Sequence, residues 1–244
     1  MRTVAVVLAG GTGLRFGGAA PKQLQLLGGM TLLERSVDAF DRAPGVDELL
    51  VVTAAELTTQ VRALLQGAQK LTDVIDGGEA RTDSTQHAIA WLTARAATNG
   101  EGSDWKVLFH DAARPLVDQE TIAACVAALD SWDAIGAVVP SADTIVQLAD
   151  NAFSRVLPRE LLARCQTPQG FRLSVISRAY ELAAVDPSFA AMSATDDCGV
   201  VLRYLPEIPV GAVRGSELNL KITYPADLAI AQALLDRDCD RPSS

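Results

Sequence analysis

Positive side chains beside a glycine-rich turn, and a carboxylate at the end of an apolar run, are the groups in this chain best suited to phosphate chemistry. Residues Leu8 to Lys22 read LAGGTGLRFGGAAPK, a glycine-rich stretch that carries Arg15 and closes on Lys22. Backbone N–H groups at Gly10, Gly11 and Gly13 can approach a ligand closely and bind phosphate oxygens. Arg15 and Lys22 add charge that needs no change of protonation to act on a phosphoryl group. Two other glycine loops are excluded. A dinucleotide fingerprint needs a third Gly or Ala where this chain has Phe16, and a P-loop needs Lys-Ser/Thr where it has Lys22-Gln23. A plain strand-to-helix turn, with glycines for geometry alone, would not need the arginine and the lysine.

The second group is His110-Asp111-Ala112-Ala113-Arg114-Pro115. A carboxylate after a strand suits magnesium, which takes one or two carboxylates and fills its shell with substrate phosphates and water. Asp111 alternatively caps a turn, and His110 reads as structural, satisfied by backbone. Gly77 to Ser84 (GGEARTDS) reads as a tight turn opening a helix. Its backbone and Ser84 could meet a base edge, whereas Glu79 and Asp83 could simply favour the helix N-terminus. Arg159 and Gln166-Thr167-Pro168-Gln169 form a further polar cluster. Lys221 alternates with apolar neighbours, as on a strand with one face toward solvent or a site. No Ser-His-Asp or Cys-His arrangement suggests a covalent intermediate.

These groups need a scaffold, and the first half of the chain alternates strand and helix. Strands are expected at Val4–Leu8, Leu49–Thr53, Thr72–Ile75, Lys106–Phe109 and Ile135–Val139. Helices are expected at Thr31–Ala43, with Thr31 and Glu34 placed for a capping box, near Glu56–Leu65, and at Thr82–Ala96 and Gln119–Leu129. Thr98–Asp104 reads as a polar loop. The rhythm implies an α/β fold, a doubly wound, mostly parallel sheet with ligands at the carboxyl ends of its strands. Residues 141–165 break it as a protruding β-arm, Ser141–Gln147 and Asn151–Leu157, with Asp150-Asn151 at the tip. Beyond it come helices at Leu173–Ala184 and after Thr195, strands at Pro209–Arg214 and Leu218–Thr223, and a helix from Pro225 to Leu235. One domain over 1–236 and a polar tail over 237–244 are expected.

The composition, 49% apolar and 21% charged, is globular, and a net charge of -9 supplies no basic stripe for nucleic acid or an anionic membrane. Four scattered cysteines without a C-x-x-C pair argue against a zinc site and fit a reducing cytoplasm. Cys125 and Cys198 read as core. No apolar run is long enough for a membrane span, and the N-terminal one is too short for a signal peptide. A cytoplasmic protein is expected.

LAGGTGLRFGGAAPK, GGEARTDS, HDAARP, ADT, RELLARCQTPQGF, ATDD and NLKITYPADL occur here in order. In that series the chain resembles the polyol-phosphate cytidylyltransferases from Val4 to Leu235. The family acts on 2-C-methyl-D-erythritol 4-phosphate, in non-mevalonate isoprenoid synthesis, or on ribitol 5-phosphate, for surface polymers. The resemblance implies a Rossmann-like nucleotidyltransferase fold, CTP and a polyol phosphate as substrates, Mg2+ as cofactor, and in-line attack of the acceptor phosphate on the α-phosphorus with loss of pyrophosphate. It implies catalytic roles for Arg15, Lys22 and Lys221, and a nucleotide lining of Leu8, Ala9, Gly10, Gly11, Thr12, Gly13, Gly78, Glu79, Ser84 and Asp111. Asp111 would also meet the metal, and Arg114, Thr144, Arg159 and Thr167 would meet the acceptor. The arm would join a homodimer, so that Thr144 and Arg159 complete the partner's site.

The two acceptors divide the signs. Leu8-Ala9-Gly10-Gly11 and Cys198 look like the ribitol enzymes, while Ala113 and the glycine of QTPQGF look like the erythritol enzymes, the reading favoured here. A catalytically silent nucleotide-binding protein would have lost charge at Arg15, Lys22, Asp111 or Lys221, and all four are present. Sugar-1-phosphate and molybdopterin nucleotidyltransferases share the opening motif but not the later blocks.

Overall fold

The structure, a computed structural model, describes residues 1–11, 16, 21–98, 104–189 and 196–239. The positions Thr12, Gly13 and Arg15, most of the polar loop before Asp104 and the helix start at Thr195 lie outside the described residues.

In chain order, β1 (Thr3–Ala9) is followed by the short pair β2 (Leu26–Leu27) and β3 (Met30–Thr31), then α1 (Leu32–Asp41) and β4 (Glu48–Thr53). A short 3-10 turn leads to α2 (Thr58–Leu64), β5 (Leu71–Asp76), α3 (Arg81–Thr98), β6 (Lys106–Asp111), α4 (Gln119–Ala128) and β7 (Ala134–Pro140). The arm is β8 (Val146–Ala149) and β9 (Ala152–Val156). After it come β10 (Ala163–Arg172), α5 (Leu173–Ala184), α6 (Asp197–Tyr204), β11 (Val210–Arg214) and α7 (Pro225–Cys239).

Seven strands form one sheet in the order β11-β7-β10-β6-β1-β4-β5. All neighbours are parallel except β10, which is antiparallel to both β6 and β7. The sheet is therefore mostly parallel, as expected, with a reversed strand near its middle. Alternation along β1 explains the two layers, since successive side chains leave a strand on opposite faces. Val4, Val6 and Leu8 join a buried cluster with Leu92 of α3, Ile176 of α5 and Val200 of α6. Ala5, Val7 and Ala9 join another with Val37 and Phe40 of α1 and Ile122 and Cys125 of α4. Cys198 is also buried, so both core cysteines sit where their surroundings predicted, and burial pushes the Cys125 thiol up to about 12.

α1 starts on the capping box, with the Thr31 hydroxyl accepting from the Glu34 N–H and the Glu34 carboxylate accepting from the Thr31 N–H. The arm tip is a two-residue turn with both Asp150 (φ 49°) and Asn151 (φ 63°) left-handed, the conformation tight hairpins require and Asp and Asn tolerate.

Four expectations need correction. Strand β6 continues through His110 and Asp111 instead of ending at Phe109, because both residues pair with Val7 and Leu8 of β1. Residues 163–165, expected in the arm, open β10 and pair with Val138–Pro140 of β7. Leu218–Thr223 is not a strand. Two of its backbone carbonyls are taken by side chains, Arg114 Nη1 donating to Asn219 O (2.8 Å) and Lys22 Nζ to Ile222 O (3.0 Å), and among the described residues it pairs with no strand of the sheet. Finally, α7 runs to Cys239, so residues 237–239 are helical instead of tail.

Candidate active site

The chemistry-bearing turns gather at one edge because β6, β1, β4 and β5 are parallel neighbours whose carboxyl ends coincide. Leu8 and Ala9 end β1 with buried side chains, and Gly10-Gly11 follow them. Gly77-Gly78 follow β5, and Asp111 ends β6.

The turn into α3 is held from within. The Gly77 N–H donates to Thr53 O (2.6 Å) and the Gly78 N–H to Ser84 Oγ (3.3 Å), while the Ser84 hydroxyl reaches Ala80 O (3.4 Å). Ser84 is buried, so its hydroxyl shapes the turn from inside; Glu79 is exposed beside it. A Cβ at Gly78 would lie 2.2 Å from the Asp83 Cβ, and one at Gly10 would lie 3.0 Å from Ser84 Oγ. Both glycines thus lie close against side chains at the start of α3, where a side chain of their own would crowd Asp83 and Ser84.

Asp111 is the centre of the charged site. Its Oδ2 accepts from Lys221 Nζ (2.6 Å), its Oδ1 from Arg81 Nε (3.2 Å), and its own N–H donates to Thr167 Oγ1 (3.1 Å). Burial alone would raise its pKa, but Arg81 and Lys221 overcome this and hold the carboxyl well below the usual carboxylate range. Arg81 is itself shared. Its Nη2 lies 2.9 Å from Asp197 Oδ2 without the angles of a hydrogen bond, so the contact is an ion pair held by charge. Burial would lower the Arg81 pKa, and the two carboxylates keep it above its ordinary value.

His110 is fully buried, its ring tilted 57° against Phe40 with the ring centres 4.9 Å apart. Its Nε2 lies 3.1 Å from Arg114 O and its Nδ1 3.1 Å from Thr167 Oγ1. Since Arg114 O only accepts, the network places the proton on Nε2. Burial draws the imidazole down to about 4 against the pull of Asp111, so it is neutral near pH 7. His110 is the structural residue its sequence setting suggests.

Lys22 lies in a short 3-10 turn (Lys22–Leu24), and its Nζ donates to Ile222 O (3.0 Å), next to Lys221. The segments carrying these lysines share a small apolar cluster of Phe16, Leu27, Leu32, Ile222 and Ala231. The Ile222 N–H also donates to Ala113 O (2.8 Å). Packing, not a strand, therefore aims Lys221 at Asp111.

Of the residues expected to meet the acceptor, Arg114 is anchored on Asn219 O and Cys165 O (3.3 Å), and Thr167 is buried with its hydroxyl on His110 and Asp111. Thr144 and Arg159 are exposed on the arm, where Arg159 Nη1 donates to Ala142 O (3.3 Å). Among the described residues, neither has a hydrogen bond or ion pair to the Asp111 cluster. Sequence reasoning assigned no role to Arg81, Asp197 or Asn219, although they stand within the GGEARTDS, ATDD and NLKITYPADL blocks.

No group of three or more His, Cys, Asp or Glu side chains among the described residues could hold a metal. A lone buried carboxylate fits a divalent ion that arrives with phosphates as its other ligands. The Lys221 side chain, 40% exposed, has room to exchange Asp111 for a phosphate. No helix of the described residues is long and apolar enough to cross a membrane.

Comparison with known proteins adds a family. A family model described as 2-C-methyl-D-erythritol 4-phosphate cytidylyltransferase matches residues 3–237. The protein of that name from Thermobifida fusca (strain YX) is 50% identical over 241 residues, covering 96% of this chain and 93% of the relative. A Haemophilus influenzae protein, described as bifunctional ribulose 5-phosphate reductase/CDP-ribitol pyrophosphorylase Bcs1, is 34% identical over 237 residues, 96% of this chain but 48% of that one. The crystal structure of 4-diphosphocytidyl-2C-methyl-D-erythritol synthase from Anaerococcus prevotii superposes with a TM-score of 0.81 at 25% identity, covering 97% and 99% of the two chains. With that match along nearly its whole length, and with Gly10-Gly11, the turn into α3 and Asp111 at one sheet edge, the chain belongs to the 2-C-methyl-D-erythritol 4-phosphate cytidylyltransferase family.

Proposed function

We propose that the chain transfers CMP from CTP to 2-C-methyl-D-erythritol 4-phosphate, releasing pyrophosphate, as a step of isoprenoid precursor synthesis. The observation that carries this reading is Asp111, held between Arg81 and Lys221 at the carboxyl edge of the sheet, beside the glycine turn and the turn into α3. A 50% identical relative bearing that activity in its name favours this acceptor over ribitol 5-phosphate. Cys198, one of the ribitol-like signs, is buried with its Sγ 3.6 Å from Ile135 O, so it packs the core.

Transfer needs no covalent intermediate. In this reading Lys22 and Lys221 neutralise the phosphoryl oxygens as the acceptor oxygen approaches the α-phosphorus in line. Lys221 moves from Asp111 to phosphate, and Arg114, fixed by two carbonyls, presents its charge to the acceptor side. Magnesium, held by Asp111, would supply charge neutralisation of the triphosphate. With CTP and magnesium, pyrophosphate release is expected with 2-C-methylerythritol 4-phosphate and not with ribitol 5-phosphate. The reverse pattern would transfer the chain to CDP-ribitol synthesis, and silence with both would leave only the fold. The charge and the cysteine usage favour a cytoplasmic setting.

The arm supports a homodimer in which Thr144 and Arg159 reach the partner's site. Leu148, Phe153, Val156 and Leu161 are all more than half exposed on it, an apolar surface that two hairpin strands cannot bury alone. Phe153→Glu should convert the dimer to monomer in analytical ultracentrifugation at micromolar concentration. A wild-type protein that sediments as a monomer would remove the reading.

A further inference from the structure

Asp197 is fully buried, and a carboxylate in that position must be paired. It is the first residue of α6, after Asp196 has capped the helix by accepting from the Gly199 N–H. The backbone N–H groups of Asp197 and Cys198 both donate to Gln169 Oε1 (3.0 and 3.1 Å), which pins this helix end to β10. Its Oδ1 accepts from the Thr85 hydroxyl (3.0 Å) and from the Tyr180 hydroxyl (2.7 Å). Its Oδ2 faces Arg81. One guanidinium therefore spans two carboxylates, and charges of alternating sign run from Asp197 through Arg81 and Asp111 to Lys221.

We propose that Asp197 is a positioning residue for the transfer reaction, acting through Arg81. It draws part of the Arg81 charge away from Asp111, and so leaves the outer oxygen of Asp111 for Lys221 and for the counter-charge of the triphosphate. A neutral side chain at 197 would let Arg81 bear wholly on Asp111. The proposal rests on Asp111 being the carboxylate of the reaction. The Gly77 and Gly78 N–H groups are held by Thr53 and Ser84 and not by Asp197, so CTP affinity is expected to depend little on Asp197.

Asp197→Asn keeps the size of the side chain and an acceptor for Thr85 and Tyr180. Losing one partner of a buried pair lowers the melting temperature by about 10 °C. At 25 °C, kcat is expected to fall about tenfold or more, with the magnesium concentration for half-maximal rate raised several-fold. CTP affinity, titrated calorimetrically, should stay within about threefold of wild type. Arg81→Lys keeps the charge but cannot span both carboxylates. The double variant should be no more than about threefold slower than the slower single one.

A folded Asp197→Asn protein with the wild-type kcat overturns the proposal, as does multiplication of the two losses in the double variant. If Asp197→Asn does not fold, Arg81→Lys is read alone: a tenfold lower kcat with CTP affinity kept supports the bridge, and a wild-type kcat overturns it. Asp111→Asn, assayed in parallel, separates the two levels. A wild-type rate there overturns the site reading and this proposal together, whereas an inactive Asp111→Asn beside a fully active Asp197→Asn overturns this proposal alone.

Discussion

Asp111→Asn is expected to lower kcat by about 10³-fold, about 4 kcal/mol of barrier. The side chain keeps its shape, but Arg81 and Lys221 then converge on a neutral amide. Lys221 loses the partner that aims it, and the site loses the oxygen that could meet a metal brought by the triphosphate. The same change breaks a buried ion pair, a loss of about 3–5 kcal/mol in stability, so the rate has to be measured where the variant is shown to be folded. Pyrophosphate release at saturating CTP and acceptor, with a thermal melt of the same sample, checks both effects. A folded variant turning over within tenfold of wild type would take Asp111 out of the reaction.

Lys22→Ala is expected to lower kcat by about 10²-fold or more, the scale of losing one preorganised donor. Lys22 is only partly buried, so its loss should leave the melting temperature within a few degrees of wild type. Its 3.0 Å bond to Ile222 O gives it a second action, on the segment that carries Lys221. Lys22→Ala, Lys221→Ala and the double variant separate the two. Independent contacts with phosphate make the losses multiply, and a purely indirect action leaves the double variant no worse than Lys221→Ala. Near-wild-type turnover in Lys22→Ala would falsify the proposed charge stabilisation.

The elements that sequence reasoning placed well are those governed by neighbours a few residues away. Thr31 and Glu34 make their capping box within one helical turn, Asp150-Asn151 turn the hairpin by their own backbone preference, and β1 announces itself by a β-branched apolar run. β10 escaped notice for a physical reason. Gln166, Thr167 and Gln169 are polar and Pro168 interrupts them, a combination that argues against a central strand. The fold accommodates them with a register shift between Cys165 and Gln169, and buries the three polar side chains where Asn219, Asp111 and α6 satisfy them. The alternation of apolar neighbours around Lys221 predicts a strand. That alternation instead seats Ile222 against Leu27 and Ala231.

The sequence by itself determined the layered α/β plan, the glycine turns, the acid at the end of β6 and the family resemblance, because each is written in contiguous residues. Only the tertiary structure decided what Asp111 touches. Its partners stand 30 and 110 residues away, and the Arg81–Asp197 pair joins α3 to α6, so no local pattern encodes them. Burial then decides their strength, since opposite charges attract far more once water is excluded, and exclusion of water is a property of the packed fold alone.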